Sequence, residues 1–518
     1  MTSHESESPD EGWRPAEHGR DGRSLQRRVT RGLAWTIVDN WGRQLLGFAV
    51  FIILANLLQP TDFGLVALAV VFVNFAQVFV DQGLGDALIQ RRELTRSHID
   101  TAFWVAIATG VLLTALGLVL AIPIAALLEE PDLRPILQVL SLAFVLAAMS
   151  SIQIALLRRE LAFRSLALRS IAATVAGGVV GIAMAFLGFG PWALVGQQLA
   201  SAAAAVMTLW WVLPWRPGLR FSREHFKSLF AFGIHVVGTD VVAFFARNSD
   251  NLLIGSFLGT RPLGLYAVGY RMLDTTQVLL INISRKIAFP ALARVQHDRE
   301  RMARAYFKLT RITGALILPV YVGLALVAPE LVVVLIGERW SESGPVAAVL
   351  FLIGPVLAMQ AFSASLFYAV GQPQVNFRFR LITMTVRVVG FFVAVPFGII
   401  PVAIAFAASG YLLLPLNLYW QRRYAGIHVR AYLAQLRGPA VATTMMALAV
   451  LGVRLAFGEV GAGPLLAIEI AAGTGAFTVG LGLADRPLLH EAFGVALQVI
   501  PGVERARRRL RGQSGNSR

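Results

Sequence analysis

Long apolar runs alternate along the chain with short polar segments. Each run has about twenty residues, which is the length that an α-helix needs to cross the roughly 30 Å hydrocarbon core of a bilayer. The residue-by-residue alternation that marks a transmembrane β-strand is not visible in the sequence. The pattern predicts fourteen membrane-spanning helices, at 33–56, 64–90, 101–124, 136–157, 165–188, 190–213, 228–257, 263–290, 306–328, 344–370, 379–398, 401–421, 437–457 and 464–484.

The basic residues predict how these helices are oriented. With the N-terminus inside, 38 of the 46 Lys and Arg residues lie in or beside the regions placed in the cytoplasm, and 4 lie in or beside the opposite loops. Because Lys and Arg accumulate on the cytoplasmic side, both termini are predicted to be cytoplasmic. The opposite loops are short, the longest being about 329–343, which disfavours membrane enzymes that keep catalytic loops outside.

Composition agrees with a membrane protein. Hydrophobic residues make up 56% of the chain and charged residues 15%, whereas a soluble protein has about 25% charged residues. Cysteine is absent, which excludes disulfides and thiolate metal sites, and no histidine pair has metal-ligand spacing. No metal or cofactor is therefore expected. The positive-inside tendency explains the net charge of +16 better than a nucleic-acid partner does.

A repeat of 200 residues divides the predicted helices into two lobes. Aligning 51–80 with 251–280 without gaps gives six identities, among them Gly64 with Gly264. Six predicted helices separate the copies, so the repeats run parallel, and such repeats place a substrate site between the lobes. The sequence thus predicts an all-α polytopic membrane protein with two parallel six-helix lobes around a central cavity. Its predicted parts are a cytoplasmic tail (1–32), an N-lobe (33–213), a linker (214–227), a C-lobe (228–421), two further helices as an appendage (437–484) and a basic cytoplasmic tail (485–518).

Charged residues inside the predicted helices are the candidate site. Residues three, four or seven apart share a helix face. Each charge near the bilayer centre costs about 2.5–3.5 kcal/mol, so these faces should meet water or each other. Single Asp–Arg pairs could simply fix helix packing, whereas the whole set favours a hydrated cavity into which Arg247 and Asp250 project. The set comprises Asp39 and Arg43 in the first helix, Asp240, Arg247, Asp250 and Asn251 in the seventh, and Arg271, Asp274 and Asn282 in the eighth.

Several stretches resemble, in order, the motifs of the Wzx-type polysaccharide exporters, specifically the WzxC-like branch. These flippases belong to the superfamily that also contains the lipid II flippases and the MATE drug exporters. The resemblance covers about residues 31–430 and weakens over the last two helices. It is carried by "LANLLQPTDFGLVALAVVFVNFAQVFVDQGLGDALIQRRE" (54–93), "LLRRELAFRSLALRS" (156–170), "GFGPWALVGQQL" (188–199), "LGLYAVGYRMLD" (263–274) and "FPALARVQHD" (289–298).

The resemblance implies a function and a set of partners. The substrate would be an oligosaccharide repeat unit on undecaprenyl pyrophosphate, carried across the bacterial cytoplasmic membrane for surface polysaccharide biosynthesis. Membrane lipids surround such a protein, and a polysaccharide polymerase and glycosyltransferases of the same pathway are candidate partners. Family members place cationic residues in the cavity, which here match Arg43, Arg247 and Arg271. Arg387 is carried over as well, although it could instead snorkel to the nearby cytoplasmic surface.

Four carboxylates near these arginines are candidates for ion coupling: Asp39, Asp240, Asp250 and Asp274. The main rival is a MATE-like cation-coupled exporter of small amphipathic molecules, which predicts an acidic cavity without comparable arginines. A membrane enzyme of the same pathway is disfavoured by the short external loops. A scaffolding membrane protein would have little use for charged stripes in both lobes.

Overall fold

The computed structural model describes residues 41–81, 84–90, 94–219, 221–294, 298–458 and 460–489. All regular elements within these residues are helical. Eleven helical segments are long and apolar enough to cross a membrane, and two of them, Leu133–Arg159 and Ser343–Ala369, consist of consecutive shorter helices. Trp41–Leu57 is a shorter apolar helix. The long helices Arg223–Leu258 and Thr260–Ala293, which carry most of the predicted charges, are not among the eleven. The chain is therefore a multi-pass α-helical membrane protein, while the number fourteen stays a prediction.

The chain divides into two compact units. The first comprises Met1–Leu279 and Val388–Val402, and the second comprises Leu280–Arg387 and Ala403–Arg518. The first unit contains α1 (Trp41–Leu57), α2 (Pro60–Asp81), α3 (Leu84–Gln90), α4 (Arg96–Leu127), α5 (Leu133–Ser141), α6 (Ala143–Arg159), α7 (Phe163–Phe186), α8 (Trp192–Val212), α9 (Arg223–Leu258) and most of α10 (Thr260–Ala293). The part of α10 after Leu279 belongs to the second unit.

The remaining helices lie in the second unit, apart from two segments. They are α11 (Arg299–Ile336), α12 (Ser343–Phe351), α13 (Gly354–Gln360), α14 (Ser363–Ala369), α15 (Pro373–Ala394), α16 (Ile399–Ala425), α17 (Val429–Phe457) and α18 (Ala462–Ala484), with 3₁₀ turns at Glu338–Trp340 and Val395–Phe397. The end of α15 and the start of α16 belong to Val388–Val402, which is part of the first unit. The tenth predicted helix is thus three consecutive short helices, α12 to α14.

Local signals set the ends of α11. Asp298 precedes it, and its side chain accepts hydrogen bonds from the backbone N–H groups of Glu300 and Arg301. The backbone hydrogen bond from Arg301 is the main reason that the pKa of Asp298 lies below its usual value. Gly337 ends the helix with a φ of 92°, which glycine adopts without strain.

The predicted external loop at 329–343 is wrong in its first half. Pro329 lies inside α11, which continues to Ile336, so the loop begins at Gly337. Membrane helices tolerate an internal proline because neighbouring groups and local adjustments satisfy the freed carbonyl. Residue 344 must be small, since a Cβ on Gly344 would lie 2.7 Å from the Cα of Pro329. The loop between α11 and α12 is therefore even shorter than the sequence suggested.

Small residues let the helices of the first unit approach closely. A Cβ on Gly177 in α7 would lie 2.6 Å from the carbonyl oxygen of Gln197 in α8, and one on Gly110 in α4 would lie 2.9 Å from that of Phe144 in α6. Close backbone approach of this kind is typical of helix packing in membranes, where no hydrophobic force drives helices together. These contacts hold α7 against α8 and α4 against α6.

The repeat identified in the sequence has a counterpart in the structure. A Cβ on Gly64 would lie 1.7 Å from the carbonyl oxygen of Thr260, and one on Gly264 would lie 1.8 Å from that of Pro60. The two contacts are reciprocal at an offset of 200 residues, as expected for a local two-fold axis between α2 and α10. This agreement supports the alignment of 51–80 with 251–280.

A buried polar network holds the second unit together. The hydroxyl of Tyr306 in α11 donates to Oε1 of Gln421 in α16 at 3.0 Å, and Nε2 of Gln421 donates to Oδ1 of Asn417. Ser363 in α14 donates to the same Asn417 oxygen at 3.0 Å. Buried polar groups that satisfy one another in this way specify one packing arrangement. The network therefore fixes α11, α14 and α16 relative to one another.

Candidate functional site

The structure brings two of the four predicted arginines together in the first unit. Arg43 and Gly47 are one turn apart on α1, and Nη2 of Arg271 in α10 lies 3.7 Å from the position of a Cβ on Gly47. Asp274 and Arg43 are the charged neighbours that Arg271 experiences. Both arginine side chains are exposed, and Asp274 is half-buried. We call Arg43, Gly47, Arg271 and Asp274 the α1–α10 cluster.

The α1–α10 cluster has an excess of positive charge. Within the described residues, neither Arg43 nor Arg271 forms an ion pair shorter than 4 Å. Two guanidinium groups that face each other repel, and an anion between them removes that repulsion. Guanidinium also offers a planar fork of donors that matches phosphate oxygens. The cluster is therefore suited to an anionic group.

Two charged residues of the α9 stripe are exposed, while Asn251 is half-buried. Asp240 and Arg247 are both exposed, as the seven-residue spacing predicts for one helix face. Within the described part of the chain, Arg247 forms no ion pair with Asp250 or with any other carboxylate. The alternative in which Arg247 and Asp250 form a packing pair therefore has no support in this structure.

Asp250 does not face a hydrated interior as expected. It is 2% exposed. Its carboxylate accepts a hydrogen bond of 2.9 Å from the hydroxyl of Tyr266 in α10 and one of 2.8 Å from the backbone N–H of Asn251. Tyr266 in turn stacks on Tyr270 at 6.1 Å between ring centroids. Asp250 thus belongs to the packing between α9 and α10. Its part in ion coupling stays a prediction.

Arg387 is held on its neighbouring helix in the second unit. Its Nε donates to Oγ of Ser409 in α16 at 3.2 Å, and its guanidinium lies 4.5 Å from the ring centroid of Phe406. These contacts fix the side chain within the helices, which favours neither snorkelling nor a free cavity position. Of the ion-coupling candidates, Asp39 lies outside the described residues.

Sequence reasoning missed Gly47 and Tyr266. Gly47 could have been found, because it lies four residues after Arg43 on the same face of α1. Tyr266 sits in the quoted stretch 263–274, but nothing in the sequence pairs it with Asp250 sixteen residues earlier. A cavity of about 390 Å³ in the second unit, lined in part by Arg304, Lys308 and Arg311, includes none of the predicted site residues.

Comparisons with known proteins agree on the kind of molecule. Residues 53–345 match the family model described as polysaccharide biosynthesis protein. The succinoglycan biosynthesis transport protein ExoT of Rhizobium meliloti (strain 1021) is 30% identical over 355 residues, which are 68% of this chain and 72% of that protein. The lipopolysaccharide biosynthesis protein WzxC of Escherichia coli (strain K12) is 26% identical over 360 residues, or 69% and 73% of the two chains.

A solved structure shares the fold. The lipid II flippase MurJ in an inward closed conformation matches with a TM-score of 0.72, covering 88% of this chain and 100% of that one. The sequence identity is 13%, so this likeness concerns the fold alone.

Proposed function

We propose, on the premise that the chain belongs to the polysaccharide biosynthesis protein family, that it is a flippase for lipid-linked oligosaccharides. Family membership confirms the resemblance carried by the motifs between residues 54 and 298. The substrate is an oligosaccharide repeat unit on undecaprenyl pyrophosphate. It moves from the inner to the outer leaflet of the bacterial cytoplasmic membrane and is then used for a surface polysaccharide.

The α1–α10 cluster is the observation that carries this proposal. A pyrophosphate cannot cross hydrocarbon bare, because an isolated charge in an apolar medium costs many kcal/mol. Arg43 and Arg271 supply permanent positive charge, and no carboxylate in the described residues neutralises them through a close ion pair. The polyprenyl tail need not leave the lipid, so the protein has to accommodate only the headgroup.

Transport follows by alternating access of two lobes. Fourteen helices with both termini cytoplasmic would place the repeats as two lobes that rock around the headgroup. Release to the outside requires that binding is not too strong, and Asp274 beside Arg271 moderates the positive charge. Asp39, Asp240, Asp250 and Asp274 remain the candidates in these helices for coupling to a proton or sodium gradient.

The names of the relatives support the assignment to transport rather than to an enzyme. ExoT is described as a transport protein in succinoglycan biosynthesis, and WzxC as a lipopolysaccharide biosynthesis protein. A chain of this kind would receive its substrate from glycosyltransferases and deliver it to a polymerase. Those proteins are the partners that we propose.

The proposal is tested by transport in reconstituted vesicles. The probe is a fluorescent oligosaccharide on undecaprenyl pyrophosphate, and the measurement is the fraction that becomes accessible to a membrane-impermeant glycosidase. We expect the wild-type chain to speed transfer between the leaflets. Arg247→Lys should retain partial activity because it keeps the charge, while Arg247→Ala should lose most of it because the charge and the planar fork are both absent.

Ethidium efflux from the same vesicles tests the rival function. A wild-type chain that leaves the lipid-linked probe untouched but expels ethidium under a cation gradient is a small-molecule exporter, and the proposal is then wrong. Arg301→Ala is the matched control, since Arg301 is an exposed arginine of α11 whose partner Asp298 is also exposed. It should transport the lipid-linked probe at the wild-type rate.

A further inference from the structure

Three ionisable side chains meet where α11, α17 and α18 pack. Arg454 in α17 lies between two carboxylates: its Nη2 is 2.5 Å from Oε2 of Glu330 in α11, and its Nε donates to Oε1 of Glu469 in α18 at 3.1 Å. The same Nη2 also donates to the carbonyl oxygen of Leu326 at 2.7 Å. This junction lies in the second unit and joins α11, which the sequence assigned to the C-lobe, to α17 and α18, which were predicted as an appendage.

The charges at this junction do not balance. Two carboxylates face one guanidinium, so the cluster carries a net charge of −1 when all three groups are ionised. Glu469 is 0% exposed, and within the described residues its Oε2 is buried without a hydrogen-bond partner. A buried charge without compensation is among the most costly features that a membrane helix can carry. The cluster therefore carries one uncompensated negative charge, and its buried oxygen that accepts no hydrogen bond in the described residues is Oε2 of Glu469.

We propose that the cluster of Glu330, Arg454 and Glu469 is a proton-binding site and that the proton is carried by Oε2 of Glu469. Hydronium from the aqueous phase gives this proton to Oε2, so one O–H bond of hydronium breaks, one O–H bond forms on Glu469, water leaves, and the cluster becomes neutral. Glu330 is the weaker candidate because its carboxylate makes the shorter contact with Arg454 and its side chain is 16% exposed. The charged groups facing Glu469 in the described residues are Arg454 of α17 and Glu330 of α11.

A proton suits this site better than a metal ion does. Metal ions that bind oxygen need several ligands, typically six to eight for Ca²⁺. Here the guanidinium of Arg454 occupies one oxygen of each carboxylate. Its charge would also repel a metal cation placed beside it. A proton needs only one oxygen and almost no space.

Infrared difference spectroscopy of the purified full-length protein tests this proposal without requiring transport. At neutral pH a protonated carboxylic acid has a carbonyl-stretch band that an ionised carboxylate lacks. We expect the wild-type protein to show such a band, shifted in D₂O, and Glu469→Gln to lose an amplitude equal to one carboxylic acid per molecule. Glu300→Gln removes a carboxylate that is 87% exposed and paired with Arg304, and it should leave the band unchanged.

Each outcome decides the proposal. An identical acid band in wild type and Glu469→Gln overturns it, and so does the absence of such a band in the wild type. A change in the carboxylate bands on adding Na⁺ that vanishes in Glu469→Gln would also overturn it, because the site would then bind a metal cation. Glu469→Asp keeps the acid group, so an acid band at a shifted frequency supports the proposal even if the Gln variant does not fold. Loss of the acid band in Glu469→Asp overturns it.

Discussion

The two units treat charges within their helices in opposite ways. In the first unit, Arg43, Arg247 and Arg271 are exposed and form no ion pair shorter than 4 Å within the described residues. In the second unit, Arg311 and Arg454 are bound by carboxylates of other helices. A charge that protein does not cover and that has no close counterion is available to a ligand, whereas a paired charge fixes helices. The comparison distinguishes arginines that are available to a ligand from arginines that fix helix packing.

Removing Arg454 should produce the largest loss of stability. Arg454→Ala leaves Glu330 without its counterion and Glu469 without its hydrogen bond, and breaking a buried ion pair costs about 3–5 kcal/mol. We expect a large drop in the amount of folded protein and in the melting temperature in detergent. Arg304→Ala breaks an exposed pair with Glu300, which contributes roughly 0–1 kcal/mol, and serves as the control. Equal stability of the two variants would show that the Arg454 pairs do not hold α17 and α18.

A Cβ at the reciprocal glycine contact should have the next largest effect. Gly264→Ala places a carbon 1.8 Å from the carbonyl oxygen of Pro60, so α2 and α10 must separate. Overpacking costs about 1–3 kcal/mol, and both melting temperature and transport should fall. Gly452→Ala in α17 is the control, because a Cβ there would meet no atom within 4 Å. If Gly264→Ala melts at the wild-type temperature, the close contact between α2 and α10 is not required.

Bilayer thickness determines the length of apolar runs, so eleven of the predicted helices correspond to apolar membrane-length segments in the described residues, and the number fourteen stays a prediction. Because they are charges within predicted helices, Arg43 and Arg271 were among the candidate site residues, and the structure brings the two side chains near each other. Their role in binding stays a prediction. The sequence could not separate Asp250 from Arg247, because Asp250 is fixed by Tyr266 of another helix. It gave no sign of the contact that Arg454 of α17 makes with Glu330 of α11, because the two residues are 124 residues apart in the chain. Ion pairs between distant helices leave no periodic signal.

A smaller loss of stability is expected from a change at Tyr266, whose hydroxyl donates a hydrogen bond to buried Asp250. Tyr266→Phe removes the hydrogen bond to the Asp250 carboxylate and keeps the ring, which should cost about 1.5–3 kcal/mol at most, the range for a hydrogen bond to a charged group. We expect a modest decrease in melting temperature. Tyr411→Phe, in which the lost hydrogen bond goes to the backbone carbonyl of Leu352, should cost less. If Tyr266→Phe is as stable as the wild type, the hydrogen bond does not fix Asp250, and the contrast between Asp250 and the exposed arginines of the first unit is not supported.

The central claim is that the exposed arginines of the first unit bind an anionic headgroup, and direct binding tests it. The measurement is native mass spectrometry of the purified protein titrated with undecaprenyl pyrophosphate, for the wild type and for the double variant Arg43→Gln with Arg271→Gln. The double variant should keep its melting temperature, because exposed substitutions change stability by only about ±0.5 kcal/mol. Its affinity should fall at least about 100-fold, since two charge-assisted contacts of roughly 1.5–3 kcal/mol each are lost. Arg301→Gln with Arg304→Gln, which removes two exposed arginines from the second unit, should bind as the wild type does. Wild-type affinity in the Arg43 and Arg271 double variant, at unchanged stability, would contradict the account.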